Sequence, residues 1–291
     1  MMPLHLCPIS FRHHLTSLPE LAHWARHTGF DGIELWGVHA RHLQDQPGYD
    51  RAWIRAQGLT IPMVSDYLPL EGFRADALAR TRQLCAIARH WGAGKVRTFA
   101  GNQPSAALSA ADRSALAHRL RQLTDCVANE GLELIVETHP GTLADTLGAT
   151  IDLVTAVDHP ALGLNFDVLH VWESGADPLD ALHQLWPWVR HFHFKNIQKR
   201  SQLPVFAPAN VYSPAGCRQG MVPVLEGACD YRPLLAFLAR QPAANGVDAS
   251  LEWFGPDCQR VLHSDLTRLR AELAVESTAV GTQVPLACHG T

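Results

Sequence analysis

The sequence has few of the features that mark nucleic-acid-binding and membrane proteins. It contains no run of five or more basic residues, and its formal net charge is only −4. Its longest apolar stretches are much shorter than the ~20 residues that a transmembrane helix needs. We therefore expect neither nucleic acid nor a membrane among its partners.

Cysteine pairs in metal-binding or disulfide patterns are also absent. The seven cysteines are an odd number and are scattered without any CxxC pair. This spacing argues against a zinc finger and against a disulfide framework. Because no secretory signal segment is recognisable, we expect a cytoplasmic protein with reduced thiols.

What the sequence does contain is an alternation of short apolar strands with amphipathic, helix-like segments. Eight stretches have the apolar composition of buried parallel strands: 4–10, 32–36, 61–67, 95–100, 133–138, 162–167, 191–195 and 249–254. Helices are predicted between them, for example over 18–29 and 114–131, each of which ends in glycine. Eight strand–helix units in one chain predict a single (β/α)8 barrel. A doubly wound open sheet is the alternative, and the absence of a GxGxxG loop after the first strand disfavours it.

Two segments interrupt this alternation. Residues 198–229, between the seventh strand and the seventh helix, are rich in proline and glycine and show no convincing helix. Such a long connection is typical of an active-site lid or a binding loop. Residues 276–291 have little pattern, so we expect the barrel domain to span 1–275 and the tail after it to be disordered.

Ionisable residues follow the apolar part of four successive predicted strands. Glu137 lies at the end of the fifth strand, and Asp167 ends the sixth strand 30 residues later. His193 lies 26 residues further on, in the seventh strand, and Glu252 lies in the eighth. Because the active sites of such barrels lie at the carboxyl ends of the strands, these four side chains should converge at the barrel mouth.

Three carboxylates and one imidazole suit a divalent cation that prefers oxygen ligands and keeps positions open for a substrate. Mn²⁺, Mg²⁺ and Co²⁺ would all fit this donor set, which does not by itself identify the ion. Without a cation, the clustered carboxylates would repel one another and their pKa values would rise. The competing interpretation is that each acid pairs separately with an arginine or a lysine.

Two residues near this set are candidates for the chemistry itself. Lys195 shares the side of its strand with His193, where its ammonium could stabilise an enolate or alkoxide. Its alternative is a structural ion pair with Glu137 or Glu252. His139 shares the side of Glu137 and could act as a general base, or as a hydrogen-bonding partner of the metal ligands.

Five further residues are candidates for contact with a substrate. Arg97, at the end of the fourth strand, could clamp a substrate carboxylate. His170, Tyr67 and Tyr212 could line the site, with plain packing as their alternative. Glu34, at the end of the second strand, could face the site or orient neighbouring arginine or histidine side chains.

Ten motifs of the chain together resemble those of the metal-dependent 3-dehydroshikimate dehydratases, which belong to the xylose-isomerase-like barrel superfamily. The motifs are CPISFRHHL, GFDGIELWG, MVSDYLPL, KVRTFAG, ETHPGTLADTL, NFDVLHVWESGADP, HFHFKNI, VFAPANVY, AGCRQGMVP and SLEWFG. The resemblance covers roughly residues 4–270, and fragments such as WESGADP and HFHFKN are specific. Enzymes of this kind make 3,4-dihydroxybenzoate (protocatechuate) for catecholate siderophores of the petrobactin type.

The resemblance implies an activity and a ligand set. The reaction would convert 3-dehydroshikimate to protocatechuate and water, through an enolate and a β-elimination, with a divalent metal as Lewis acid. The implied metal ligands are the same four that the strand register indicates: Glu137, Asp167, His193 and Glu252.

The resemblance also assigns roles to other residues. His139 would be the base, and four side chains would line the substrate site: Arg97, His170, Lys195 and Tyr67. The chain departs from the family pattern at two positions: the family has an acid in place of Ala207 and an asparagine in place of Ala209. These departures put lid detail or rate in doubt, because neither residue belongs to the metal set.

Three other functions are compatible with such a barrel. A sugar isomerase or epimerase would also use a metal-stabilised enediolate, but it has no need of a carboxylate clamp such as Arg97. A DNA-repair endonuclease would carry a multi-metal cluster with more histidines, and a basic groove. A binding or scaffold protein would leave the metal set without a task. The sequence leaves open whether the chain forms a homodimer and whether the product enters siderophore synthesis or catabolism.

Overall fold

A computed structural model of the protein describes residues 2–241 and 247–279 of the chain. The last helix continues to Ala279, four residues beyond the predicted end of the barrel domain at residue 275. The rest of the predicted tail, residues 280–291, lies outside the described residues.

Nine parallel strands form one sheet that curves into a barrel, and two further short strands pair outside it. The strands are β1 Leu4–Leu6, β2 Gly32–Ile33, β3 Leu35–Trp36, β4 Met63–Ser65, β5 Lys95–Thr98, β6 Glu133–Glu137, β7 Leu162–Asp167, β8 Val189–Phe194, β9 Asn196–Ile197, β10 Met221–Val222 and β11 Asp248–Leu251. The order in the sheet is β2-β1-β11-β8-β7-β6-β5-β4-β3.

The barrel has eight strand positions although its sheet has nine strands. β2 and β3 lie at the two ends of the strand order, and only Glu34 separates them in the chain. They are therefore two halves of one strand that brings the ends of the sheet together. The predicted (β/α)8 barrel is confirmed.

Several observed strands are shorter than the predicted ones. Residues 4–10 were predicted as one strand, but β1 ends at Leu6 and a 3-10 helix, Pro8–Phe11, follows it. Pro8 lacks a backbone N–H and has a fixed φ, so it ends the ladder and begins the helical turn. Polar residues past the strand ends thus belong to loops at the barrel mouth.

Helices surround the barrel. They are α1 Leu18–Thr28, α2 Gly37–Leu43, α3 Arg51–Ala56, α4 Arg74–Trp91, α5 Ala110–Ala128, α6 Leu147–Val157, α7 Val168–Glu173, α8 Pro178–Leu185, α9 Pro208–Val211, α10 Arg232–Ala239 and α11 Cys258–Ala279. Among the described residues, no helix combines the length and the apolar character that crossing a membrane requires.

The first helix is capped at both ends, and the glycine at its carboxyl end is the predicted one. Ser17 and Glu20 form a reciprocal capping box at its start, and Gly29 ends it in the left-handed region at φ 100°. The second predicted helix, 114–131, has different bounds. It begins earlier, at Ala110, and it ends at Ala128, three residues before the predicted glycine cap.

The sheet has an apolar outer face and a polar inner face. Phe192 and Phe194 on β8 point outward into the layer between the strands and the helices, and both are fully buried. His191 and His193 alternate with them and point into the barrel, where they are equally buried. An interior that carries such side chains differs from the aliphatic layers that usually fill these barrels.

The segment 198–229 is more regular than predicted. It contains the 3-10 helices Arg200–Phe206 and Val224–Glu226, the short helix α9, and β10, which pairs antiparallel with β9. The prediction of a segment without helix was wrong, because turns this short are too brief to show an amphipathic period. Arg218 stabilises the segment by donating to the carbonyls of Asn210, Val211 and Ser213.

Candidate active site

A cavity of about 720 Å³ opens at the carboxyl ends of the barrel strands. Most of the predicted site residues line it: Tyr67, Arg97, Glu137, His139, His170, Lys195, Tyr212 and Glu252. Three aromatic side chains that were not predicted also line it: Phe99, Phe206 and Phe254. The cavity therefore brings together residues from both halves of the chain.

Three of the four predicted metal ligands form a compact buried group. One ligand atom each from Glu137, Asp167 and His193 lies within 4.8 Å of the other two. The pairing of β7 with β8 sets Asp167 directly opposite His193, and β6 lies beside β7. The parallel register thus places the three side chains at one level of the barrel.

Glu252, the fourth predicted ligand, lies at the edge of this group. It follows β11, and its Oε1 is 3.4 Å from Nδ1 of His193. Its other oxygen, Oε2, accepts a hydrogen bond of 2.6 Å from Lys195. Glu252 can therefore reach the same point as the other three while it also holds a cationic side chain.

Two buried cations stabilise the carboxylates. Lys195 Nζ lies 2.5 Å from Asp167 Oδ2 and 2.6 Å from Glu252 Oε2. The structural alternative predicted for Lys195 was an ion pair with Glu137 or Glu252. Among the described residues, Lys195 pairs with Glu252 and, unexpectedly, with Asp167, but not with Glu137. Arg97 Nε lies 3.1 Å from Glu137 Oε2.

These charges shift the pKa values of the cluster strongly. Burial raises the pKa of Glu137, but the charges of Arg97 and His193 outweigh burial and hold it well below its usual value. Burial lowers the pKa of Lys195, but Asp167 and Glu252 outweigh it and hold the pKa above its usual value. The carboxylate of Glu137 is therefore ionised and suited to bind a cation.

The donor atoms fit a divalent cation. His193 Nδ1 is buried and has no hydrogen-bond partner among the described residues, although carboxylate oxygens of Glu137 and Glu252 lie within 3.5 Å of it. Burial lowers the pKa of His193, yet Glu34 and Glu252 outweigh it and hold the pKa well above the ordinary value. Without a cation the ring is therefore protonated, and a divalent cation would take the place of the Nδ1 proton among these carboxylate oxygens. Oxygen donors are in the majority, which suits Mg²⁺ or Mn²⁺.

His139 has the geometry of a general base. Its Nδ1 lies 2.7 Å from the carbonyl oxygen of Pro140, so Nδ1–H donates there and the lone pair of Nε2 is free. Its ring is 4.6 Å from the ring of Phe99 and 4.5 Å from that of His170. Burial, followed by the charge of His170, lowers the pKa of His139 to about 3, so the imidazole is neutral at physiological pH.

Two acids, Asp167 and Glu173, hold His170 in the cavity wall. Its Nδ1 lies 2.8 Å from Glu173 Oε2, and its backbone N–H donates to Asp167 Oδ1 at 3.1 Å. Asp167 is thus the amino-terminal cap of α7 as well as a candidate metal ligand. His170 lines the cavity, and its ring contacts that of His139.

Tyr67 and Tyr212 meet at the cavity mouth. Their hydroxyl oxygens are 2.5 Å apart, and each side chain keeps about 40% of its surface exposed. The ring of Tyr212 also stacks on Trp36 at 5.9 Å. The contact between the two tyrosines joins the segment around α9 to the loop after β4.

Glu34 does not line the cavity. Its carboxylate is buried inside the barrel, where it contacts Ser65, lies 2.8 Å from His193 Nε2 and lies 3.5 Å from His191 Nε2. The second of its two predicted roles, the orientation of neighbouring side chains, therefore describes it better than substrate binding. Glu34, His191 and His193 are also close enough to form a second group of metal-ligand type. The nitrogens of His191 are both engaged, by Asp248 and by Ser250, so the group that faces the cavity is the better cation site.

Two residues outside the predicted set support the site. Phe99 lies between His139 and Arg97, with its ring centre 4.8 Å from the guanidinium carbon. Cys7 donates from Sγ to Glu252 Oε1 at 3.5 Å. Of these, Phe99 follows the predicted clamp by two residues, within the predicted strand 95–100 although just past the end of β5, which is a signal that could have identified it.

The comparison with known families identifies the barrel. The sequence model of the xylose isomerase-like TIM barrel family matches residues 22–277. The chain belongs to this family. The family's barrel fold agrees with the predicted and the observed fold. The cavity lies at the carboxyl ends of the strands, where barrels of this type have their active sites.

Individual members of the family are similar over most of the chain. A 3-dehydroshikimate dehydratase of Bacillus anthracis is 41% identical over 272 residues, which are 91% of this chain and 95% of the relative. The crystal structure of the probable 3-DHS dehydratase AsbF, involved in petrobactin synthesis in Bacillus anthracis, matches with a TM-score of 0.87. That match is 40% identical and covers 92% of this chain and 99% of the other.

A more distant structure shares the fold alone. A xylose isomerase-like TIM barrel protein of Mycobacterium smegmatis, solved in complex with magnesium, matches with a TM-score of 0.67 at 18% identity. The match covers 95% of this chain and 97% of the other.

Proposed function

We propose that this protein is a divalent-metal-dependent 3-dehydroshikimate dehydratase, a hydro-lyase that forms 3,4-dihydroxybenzoate (protocatechuate) and water. The observation that carries the proposal is the 41% identity to the dehydratase of Bacillus anthracis over 91% of this chain. The site supports it, because a neutral imidazole and a buried carboxylate cluster line one cavity.

The reaction needs a base, stabilisation of the enolate that forms, and an acid that protonates the leaving hydroxyl. The proton at C4 is acidic because it lies next to the C3 ketone, and the hydroxyl to be expelled is on C5. A divalent cation would supply Lewis-acid polarisation of the ketone. Four side chains would hold it: Glu137, Asp167, His193 and Glu252.

His139 is the proposed base. Its Nε2 takes the proton from C4, while the Nδ1–H bond to the Pro140 carbonyl keeps the ring in the required tautomer. The protonated ring then returns the proton to the C5 hydroxyl, which leaves as water. Tautomerisation of the remaining dienone gives the aromatic catechol.

Lys195 and Arg97 supply positive charge. The ammonium of Lys195 lies at the cavity wall between two carboxylates and stabilises the negative charge that develops on the enolate oxygen. Arg97 Nη1 is buried and has no hydrogen-bond partner among the described residues, so it can donate to the substrate carboxylate. Tyr67, Tyr212 and His170 complete the wall of the substrate site.

The remaining parts of the proposal concern the ion, the location and the assembly. We propose Mn²⁺ as the native ion, with Mg²⁺ and Co²⁺ as ions that the same oxygen-rich set would accept. We also propose a cytoplasmic protein, which the free state of the six cysteines in the described residues supports. A homodimer stays a prediction.

The direct test is spectrophotometric. The purified protein is incubated with 3-dehydroshikimate and Mn²⁺, and the absorbance of the catechol product is followed before and after EDTA treatment. We expect protocatechuate to form, to stop forming with EDTA, and to form again when Mn²⁺ is restored. If folded protein yields no product with any of the three ions, the dehydratase proposal is wrong, and ketoses and epimerisable sugars become the substrates to screen.

A further inference from the structure

Glu34 enters the barrel from the strand that joins the two ends of the sheet. It lies between β2 and β3, and its backbone N–H donates to Leu6 at 2.9 Å, so its side chain points into the interior. Only 1% of the residue is exposed. A carboxylate buried so deeply needs partners that offset the loss of its hydration.

The partners of Glu34 divide its two oxygens between them. Ser65, the last residue of β4, donates its hydroxyl to Oε1. His193 Nε2 lies 2.8 Å from Oε2. Because a carboxylate only accepts hydrogen bonds, His193 must donate from Nε2 to form this contact.

The other nitrogen of His193 faces the candidate metal group. Nδ1 lies 3.5 Å from Glu137 Oε1 and 3.4 Å from Glu252 Oε1, and no described residue forms a hydrogen bond with it. A cation that binds here must replace the proton on Nδ1, while the proton held on Nε2 by Glu34 stays, so the lone pair that binds it is that of Nδ1. The lone pair then points at the place where the carboxylate oxygens converge.

A role for Glu34 toward His191 alone would not explain this arrangement. His191 Nδ1 contacts Asp248, and His191 Nε2 is 2.8 Å from Ser250 Oγ, so both of its nitrogens have nearer partners. The Glu34 oxygen is 3.5 Å from His191 but 2.8 Å from His193. The closer contact is therefore with the candidate ligand.

We propose that Glu34, held by Ser65, is a positioning residue that keeps the proton of His193 on Nε2 and so presents Nδ1 to the divalent cation. The proposal rests on the metal set of the proposed function and assigns a further residue to it. Carboxylates that accept from a metal-bound histidine fix its tautomer and typically account for about 10- to 100-fold in metal affinity.

The first test measures Mn²⁺ affinity by titration calorimetry on the full chain. Glu34→Gln should bind Mn²⁺ about 10- to 100-fold more weakly than the unmodified protein. Ser65→Ala keeps the carboxylate but frees its Oε1, so it should weaken binding by a smaller factor. Glu130→Gln, which removes the carboxylate of a surface pair with Arg89, is the matched control and should bind like the unmodified protein.

The second test observes the proton itself. In protein labelled with ¹⁵N-histidine and loaded with diamagnetic Mg²⁺, His193 should show a slowly exchanging proton on Nε2 and none on Nδ1. Glu34→Gln should shift or lose that signal, because an amide can donate to Nε2 as well as accept from it.

The outcomes separate this proposal from the proposed function. If the unmodified protein binds Mn²⁺ and Glu34→Gln binds it equally, with an unchanged His193 signal, Glu34 has no positioning role but the metal centre stands. If the unmodified protein binds no divalent ion, both fail. Should Glu34→Gln not fold, Ser65→Ala decides: unchanged affinity and an unchanged His193 signal overturn the proposal, and weaker binding supports it.

Discussion

Lys195 and Asp167 share one hydrogen bond inside the candidate metal site, with Nζ 2.5 Å from Oδ2. The same carboxylate oxygen lies 3.9 Å from His193 Nδ1. The ammonium and a divalent cation would therefore use the same carboxylate from two sides. Lys195 offsets part of the charge of the ligand set and lines the cavity, where we propose that it stabilises the enolate.

Removal of this ammonium should separate catalysis from metal binding. We expect Lys195→Met to lower kcat by ~10²–10³-fold, which is the usual effect of losing one donor to a developing oxyanion. Mn²⁺ affinity should not weaken, because a competing cation has been removed from Asp167. Steady-state kinetics and calorimetry check both values, with Lys199→Met, at an exposed position, as the control. A variant that turns over normally would show that the charge of Lys195 serves folding alone.

The base assigned to His139 has an equally specific test. His139→Ala should lower kcat by ~10²–10⁴-fold, since that is the usual contribution of a positioned general base, and it should keep its Mn²⁺ affinity. The control is His118→Ala on the exposed face of α5, where one ring nitrogen lies 2.8 Å from the side-chain amide nitrogen of Gln122, far from the cavity. Near-normal turnover of the variant with Mn²⁺ bound would remove His139 from the role.

The pair of tyrosines at the cavity mouth should affect substrate binding more than chemistry. Tyr212→Phe keeps the stacking on Trp36 but loses the 2.5 Å contact with the hydroxyl of Tyr67. One hydrogen bond of this kind is worth about 1 kcal/mol, so KM should rise ~2- to 10-fold while kcat stays nearly constant. Tyr49→Phe removes a hydroxyl elsewhere and serves as the control. An unchanged KM would mean that the pair only packs.

The fold and the convergence of three of the four predicted metal ligands could be predicted because both depend on local sequence. A parallel strand covered on both faces is recognisable as an apolar run, and the residue that follows it lies at the barrel mouth. The spacing of Glu137, Asp167 and His193 therefore predicted that they would meet, and their atoms form one compact group. The roles assigned to the site residues stay predictions that the variants above test.

Contacts across the barrel interior could not be predicted in the same way. Glu34 and His193 are 159 residues apart, and nothing in either local pattern states which side chains meet at the barrel axis. The position of Lys195 predicted its side of the strand, but not that its neighbour would be Asp167 rather than Glu137. Side-chain length and rotamer decide such pairs, and sequence periodicity describes only direction.

The last prediction concerns stability and uses a carboxylate far from the reaction. Asp265 on α11 is buried, and its Oδ1 accepts a hydrogen bond of 3.0 Å from Val224 in the segment after β10. Burial raises the pKa of Asp265 to about 7, which outweighs the opposing effect of the Val224 N–H and of Arg268. The folded protein therefore binds this proton more tightly than the unfolded chain, in which the pKa is near the ordinary 3.8.

The contribution of Asp265 to the free energy of unfolding therefore falls as the pH rises from about 4 to about 7. Above that range the loss stays constant. Asp265→Asn keeps an oxygen acceptor for Val224 but cannot ionise. Because one unit of pKa shift is worth about 1.4 kcal/mol, the variant should be more stable by ~2–4 kcal/mol at pH 8 and show little difference near pH 4. Urea unfolding at the two pH values measures this, with the exposed Asp230→Asn as the control. A stability difference that is the same at both pH values would show that Asp265 is not protonated in the folded protein at neutral pH.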